Sequence, residues 1–273
     1  MKIYIPTFMR EDRQKCYSNL PPKIQKMVTL VTHSGRYDIL KEHQPKADIV
    51  DLGKTDGIAD VRQKLMMASK TDKLLIIDDS CTFKKRNKEL RLIDMTEDDY
   101  VEMFNMVEHL LDEYPMVGIS DQAGNNRVPE SVKEIGRSYS CYGVNRKVWV
   151  ENDISFDGMY QKNNEIKLYE DFYAILKLLT NGFKNAIIYD YAFSHAHGKS
   201  GGNSTIRTNS LQKKCIESLQ ETFPGLVKLV QKQNPSWKAG LNDEDEFRWE
   251  CQISWQDAYK RGSTSSSLES LFI

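Results

Sequence analysis

An α/β fold, with a mixed and mainly parallel sheet flanked by helices, follows from three observations. Strand-like and helix-like segments alternate through the first third of the chain. The strand candidates are continuous apolar runs, as expected for strands covered on both faces. The length of 273 residues suits one large domain or two small ones.

The first strand is "KIYIPT", closed by Pro6; "KMVTLVTH", "ADIVDLG" and "KLLIIDD" follow as the second, third and fourth. Between the last two, Ile58, Val61, Leu65 and Ala68 recur at helical spacing behind the turn Asp56-Gly57. Strand, helix, strand in this rhythm predicts right-handed parallel crossovers, with ligands at the carboxyl ends of the strands. "TEDDYVEMFNMVEHLLDEYP" is a helix capped by Thr96. "MVGIS" is a strand, "DQAGNNR" a loop, and "SYSCYGVNRKVW" a strand running into a short helix. "LYEDFYAILKLLTNG" is amphipathic and ends at Asn181-Gly182, with the strand "NAIIYDYAFSH" beyond it. "GKSGGNSTIRT" is a loop, "LQKKCIESLQETFP" a helix, and "GLVKLVQKQNPSWK" apolar cover. The tail from residue 261 to 273 is expected to be disordered.

Formal net charge is −1, which excludes a protein that holds polyanions through bulk charge. Local basic clusters remain, the densest being "KKRNKELR" from Lys84 to Arg91. The five cysteines are scattered without metal-ligand or disulfide-framework spacing, which predicts free thiols in a reducing, cytoplasmic compartment. "MKIYIPTFMR" begins directly as a strand with no signal-peptide pattern, and no segment reaches the roughly 18 apolar residues of a membrane span.

Three polar clusters stand out. Asp78 and Asp79 close the fourth strand side by side, where repulsion and desolvation disfavour them unless something positive faces them; the plain alternative is a turn cap beside a solvated acid. Glu170 and Asp171 open a helix, where the helix dipole alone would favour carboxylates. His195 and His197, two residues apart, share one face of an extended segment, as a metal ligand or as exposed strand-end residues.

In that order the clusters resemble the GT-A family of nucleotide-sugar glycosyltransferases. "IPTFMR" resembles the opening strand and turn, "GIADVRQKLMMASKTDKLLIIDDS" the arginine-bearing helix leading to the acidic motif, and "YEDFYAILKLLTNGFKNAIIYDYAFSH" the Glu-Asp helix and final strand. More narrowly, "FKKRNKELR", "VGISDQAGNNR", "SGGNSTIRT" and "WECQISWQDAYK" resemble the phage branch, the TET/JBP-associated glycosyltransferases. The resemblance implies a single GT-A domain over 1–260, with a nucleotide-sugar half to about residue 95 and an acceptor half beyond. It implies a cytoplasmic enzyme (host cytoplasm if phage-encoded) that moves sugar from a UDP-sugar to 5-hydroxymethylcytosine or 5-hydroxymethyluracil in DNA.

The resemblance also implies roles. Asp171 is the catalytic base, with Glu170 orienting it or binding the acceptor. Pro6, Thr7, Arg10, Arg62, Asp78, Lys199, Gly201, Gly202 and Arg207 hold the nucleotide sugar. Asp79 and Asp78, with His195 or His197, hold Mn²⁺ or Mg²⁺, although Ser80 stands where the family has its third acid. Lys84, Lys85, Arg86, Lys88, Arg91 and Arg127 meet the DNA acceptor. The rival readings are a GT-A enzyme with a polysaccharide, lipid-linked or protein acceptor, a nucleotidyltransferase, and an inactive DNA-binding module.

Overall fold

Apolar runs buried on both faces need cover on both sides, and the sheet is built that way. The computed structural model describes residues 1–195, 206–233 and 247–269. The first third alternates as predicted: β1 (Lys2–Pro6), α1 (Lys15–Asn19), α2 (Pro22–Gln25), β2 (Val28–Thr32), α3 (Tyr37–His43), β3 (Asp48–Asp51), α4 (Ile58–Ala68) and β4 (Lys73–Ile77). The middle holds β5 (Cys81–Arg86), β6 (Leu92–Ile93), α5 (Glu97–Leu110), β7 (Met116–Asp121), α6 (Gln122–Asn125), β8 (Val132–Glu134), β9 (Cys141–Asn145), α7 (Arg146–Glu151) and α8 (Gly158–Lys162). The remainder is α9 (Glu170–Thr180), β10 (Ala186–His195), α10 (Asn209–Thr222), β11 (Val227–Gln233), β12 (Phe247–Ile253) and α11 (Trp255–Glu269).

One ten-stranded sheet runs β3-β2-β1-β4-β9-β7-β10-β5-β6, with β8 also paired to β10. Strands β5, β8 and β9 run against the rest. Successive side chains of one strand serve opposite cores. Ile3 and Ile5 join Leu75, Ile77, Phe104 and Val107 on one side, while Tyr4, Leu74 and Ile76 join Trp149, Phe156 and the apolar face of α9 on the other. Thr96 caps α5 through a reciprocal capping box with Asp99.

Three elements depart from the sequence reading. The stretch 81–86 is a strand, because Cys81 and Phe83 alternate inward and the backbone pairs antiparallel with β10, Cys81 opposite His195. "VKLVQKQ" is a strand that pairs with β12 in a separate two-stranded sheet. Residues 261–269 are helical: Arg261 bonds Pro224 O, and Gly262 lies so close to the end of α9 that a Cβ there would meet Leu179 O at 2.3 Å. Among the described residues no helix is long and apolar enough to cross a membrane.

Candidate active site

β4 delivers Asp78 and Asp79 at its carboxyl end, and the backbone fixes them there. Asp78 N donates to Ser140 O at 2.7 Å, and Cys16 N donates to Asp79 O at 2.8 Å. α9 delivers Glu170 and Asp171 in its first turn, following Tyr169, whose φ of 68° turns the chain sharply into the helix. Arg62, on α4, joins the two. Its Nη2 donates to Asp78 Oδ1 at 2.9 Å and its Nη1 donates to Glu170 Oε1, while the guanidinium lies 5.4 Å from the centre of the Tyr142 ring. Arg62 and Glu170 are 4% and 7% exposed, so neither charge is relieved by water.

This cluster holds one guanidinium among three carboxylates, those of Asp78, Glu170 and Asp171. Burial opposes the charge on Arg62, but Tyr142 and those carboxylates outweigh it and push its pKa up. Glu170 is also pushed up, by burial first and then by Asp171 and Asp78, with Arg62 pulling the other way. The two shifts look contradictory for one ion pair. They agree once the excess negative charge is counted, because the most deeply buried carboxyl takes up a proton most readily.

Asp79 has different partners. Arg10 Nη1 donates to its Oδ1 at 2.8 Å and Thr7 Oγ1 to its Oδ2 at 3.2 Å; Gln14 Nε2 in turn donates to Thr7 Oγ1. Burial raises the Asp79 pKa, and Arg10 opposes the rise. Both Asp79 oxygens therefore already face donors, and Ser80 supplies only a hydroxyl. As these side chains stand, the pair does not fit a divalent cation. Among the described residues no three His, Cys, Asp or Glu side chains group closely enough to hold one. Of the metal set expected from the sequence, Asp79 is paired with Arg10 in this structure, and His197 lies outside the described residues.

His195 lies at the end of β10 opposite Cys81, with its ring stacked on Phe193 and edge-on to Tyr139. His197, Lys199, Gly201 and Gly202 lie outside the described residues. Pro6 and Thr7 end β1, and Thr7 N donates to Val31 O. Arg207 is exposed just before α10, close enough to Tyr169 to oppose the upward shift that burial gives that phenol.

Two groups of the cationic residues singled out in the sequence have protein partners. Arg62 is buried and paired with Asp78 and Glu170, so in this structure its guanidinium is turned to the acids. In the basic cluster, Lys84 pairs with Asp94 and Lys85 with Asp99 and Glu102, while buried Arg86 donates to Val128 O, Glu130 O and Asp190. Strand pairing turns these three toward protein acceptors. Lys88, Arg91 and Arg127 are exposed.

The sequence reading missed Arg137 and Tyr139. Arg137 lies over the rings of Tyr139 and Phe172, the residue after Asp171, and Tyr139 donates its hydroxyl to Asp121. The available signal was the Arg-x-Tyr spacing, which places both on one face of an extended segment.

The chain is 23% identical over 230 residues to the β-glucosyl-HMC α-glucosyltransferase of phage T2, covering 76% of this chain and 79% of the relative. It is 21% identical over 259 residues to the enzyme of the same name from phage T6, covering 90% and 89%. Among solved structures, S. aureus TarS (residues 1–349) with UDP-GlcNAc aligns at 12% identity and a TM-score of 0.47, covering 81% of this chain and 67% of that one. The model of the TET-associated glycosyltransferase family matches residues 1–203, a span that contains both acid pairs and Arg62. The chain belongs to that family and is a glycosyltransferase.

Proposed function

We propose that this glycosyltransferase moves a sugar from a UDP-sugar to the hydroxymethyl group of a modified pyrimidine in DNA, with Asp171 as the base. The observation that carries the reading is the Arg62 bridge, which draws the strand-end acids and the helix-start acids into one site. A ribose hydroxyl of the donor finds an acceptor in Asp78 Oδ2, which accepts no hydrogen bond from a described residue, and exposed Arg207 is available to contact the diphosphate. Asp171 accepts a hydrogen bond from Phe172 N at 3.0 Å and is part-exposed, as a base that meets an incoming hydroxyl needs to be. The acceptor hydroxyl gives its proton to the Asp171 carboxylate, its oxygen forms the bond to the anomeric carbon, and the bond to the diphosphate oxygen breaks. A pyrimidine inside a duplex has to be turned out of the stack to present that hydroxyl.

The phage T2 and T6 relatives act, by name, on a hydroxymethyl base that already carries a β-glucose. This favours a second acceptor, the sugar hydroxyl of glucosylated hydroxymethylcytosine. The test is a donor screen read by mass spectrometry of nucleosides from four DNAs: unmodified, hydroxymethylcytosine, hydroxymethyluracil and β-glucosyl-hydroxymethylcytosine. A hexose or pentose mass added to a modified DNA alone is expected. Transfer only to free sugars or polysaccharide overturns the DNA acceptor. Asp171→Asn is expected to lower kcat by about 10²–10⁴, and an unchanged rate removes Asp171 as the base.

A further inference from the structure

The connection between β8 and β9 is held rigidly although it carries no regular structure. Ile135 N donates to Asn185 O at 2.9 Å, Gly136 N to Asn185 Oδ1 at 3.2 Å, and Asn185 Nδ2 returns a bond to Gly136 O at 2.8 Å. Asn185 and Ser138 are fully buried, and Ser138 packs so tightly on Gly118 that a Cβ there would lie 2.4 Å from its Oγ. Ser140, at the end of the connection, accepts the Asp78 N–H. The connection is therefore anchored to β7, to the start of β10 and to the acid pair.

From this frame Arg137 projects between two rings, its Cζ 3.9 Å from the Tyr139 centroid and 4.6 Å from that of Phe172. Tyr139 is fixed by Asp121, and Phe172 by the core beneath α9. The residue is exposed, and among the described residues its N–H groups have no acceptor and its charge no ion-pair partner. A guanidinium held by ring faces keeps its donor fork free and loses little rotamer freedom when it binds an anion. Its place is beside the proposed base. Asp171 and Arg137 act with opposite sign on both the Tyr139 phenol and the Cys251 thiol, each pushed up mainly by burial.

We infer that Arg137 is a phosphate-binding residue, and that its position beside Asp171 rather than beside Arg10 assigns it to a backbone phosphate of the acceptor strand. This rests on the DNA-acceptor reading above. The planar fork matches two phosphate oxygens, whereas a lysine would offer a single mobile charge. Clamping a phosphate next to the turned-out nucleotide would fix the hydroxymethyl group in front of Asp171.

The experiment measures binding of wild type, Arg137→Gln and Arg137→Lys to a hydroxymethylcytosine duplex across a salt series, and to UDP by calorimetry. Melting curves check that each variant is folded. Arg137→Gln is expected to weaken duplex binding roughly tenfold at low salt and to reduce the slope of log K against log salt by about 0.9. UDP affinity is expected to stay within twofold of wild type. Arg137→Lys should retain the slope while losing part of the affinity. A glutamine variant that matches wild type on DNA overturns the inference alone, and so does a loss confined to UDP, which would assign Arg137 to the donor diphosphate. A wild-type chain that neither binds nor modifies any of the DNAs overturns it together with the acceptor reading.

Discussion

At the scale of single residues, the site is organised by two arginines that do unlike work. Arg62 is enclosed and answers to three carboxylates; Arg10 sits nearer the surface and pairs with Asp79. For Glu170 the folded-state pKa is raised, so in the interval above the ordinary carboxylate value the folded chain binds more protons than the unfolded one. Stability then falls as pH rises through that interval. Glu170→Gln keeps a hydrogen-bond acceptor for Arg62 and removes this contribution. Melting temperatures from about pH 5 to about pH 8 should decline less steeply for the variant than for wild type; parallel curves would show that Glu170 stays ionised throughout. Arg10→Gln makes a different prediction. It frees Asp79 Oδ1, so Mn²⁺ affinity measured by calorimetry without nucleotide should rise by about tenfold, the effect of removing a cation paired at 2.8 Å. Equal affinity in both proteins would show that Arg10 does not compete for that oxygen. From sequence, Arg10, Arg62, Asp78, Asp79 and Glu170 were singled out as candidates, and the fold brings them into two neighbouring ion-pair clusters. Their pairing was not legible there, because it depends on which strand ends the crossovers bring together.

At the scale of elements, legibility followed periodicity. β2 is buried throughout, and β1 and β4 are buried after their first residue, so all three were readable as apolar runs, whereas β5 carries Lys84, Lys85 and Arg86 and so reads as solvated loop. The acids that meet those charges come from α5, from Asp94 and from Asp190 on β10, partners that only the fold supplies. α11 went unread for a similar reason: its serine-rich end has little apolar pattern, and its place depends on the close approach of Gly262 to α9. Two substitutions separate structural from functional elements. Thr96→Ala removes the α5 cap and should cost about 1 kcal/mol in denaturant unfolding with kcat unchanged. Gly262→Ala forces α11 away from α9 and should cost about 1–3 kcal/mol. Because α9 bears Glu170 and Asp171, its kcat should fall as well. An unaffected kcat in Gly262→Ala would show that the strain is absorbed before it reaches the head of the helix.

At the scale of the whole molecule, a net charge of −1 puts the DNA binding proposed above on local cations rather than on bulk charge. Lys88, Arg91, Arg127, Arg137 and Arg207 are exposed, while Lys84, Lys85 and Arg86 are spent on internal pairs. The dependence of log K on log salt should accordingly be shallow, with a slope between about −2 and −5. A slope near −10 would mean that a much larger basic surface meets the duplex.

The course of the sheet has one more consequence. β9, from the second part of the chain, lies between β4 and β7, and β5, from the first part, closes on β10. Neither portion can be lifted out without leaving the other with an open seam of unpaired amides. Grafting a foreign acceptor-recognition module onto this enzyme by joining sequences near residue 95 should therefore give insoluble chimeras. Retargeting would have to proceed through the connections at the strand tips, such as 135–140, where side chains can be exchanged while the hydrogen-bonded scaffold stays whole.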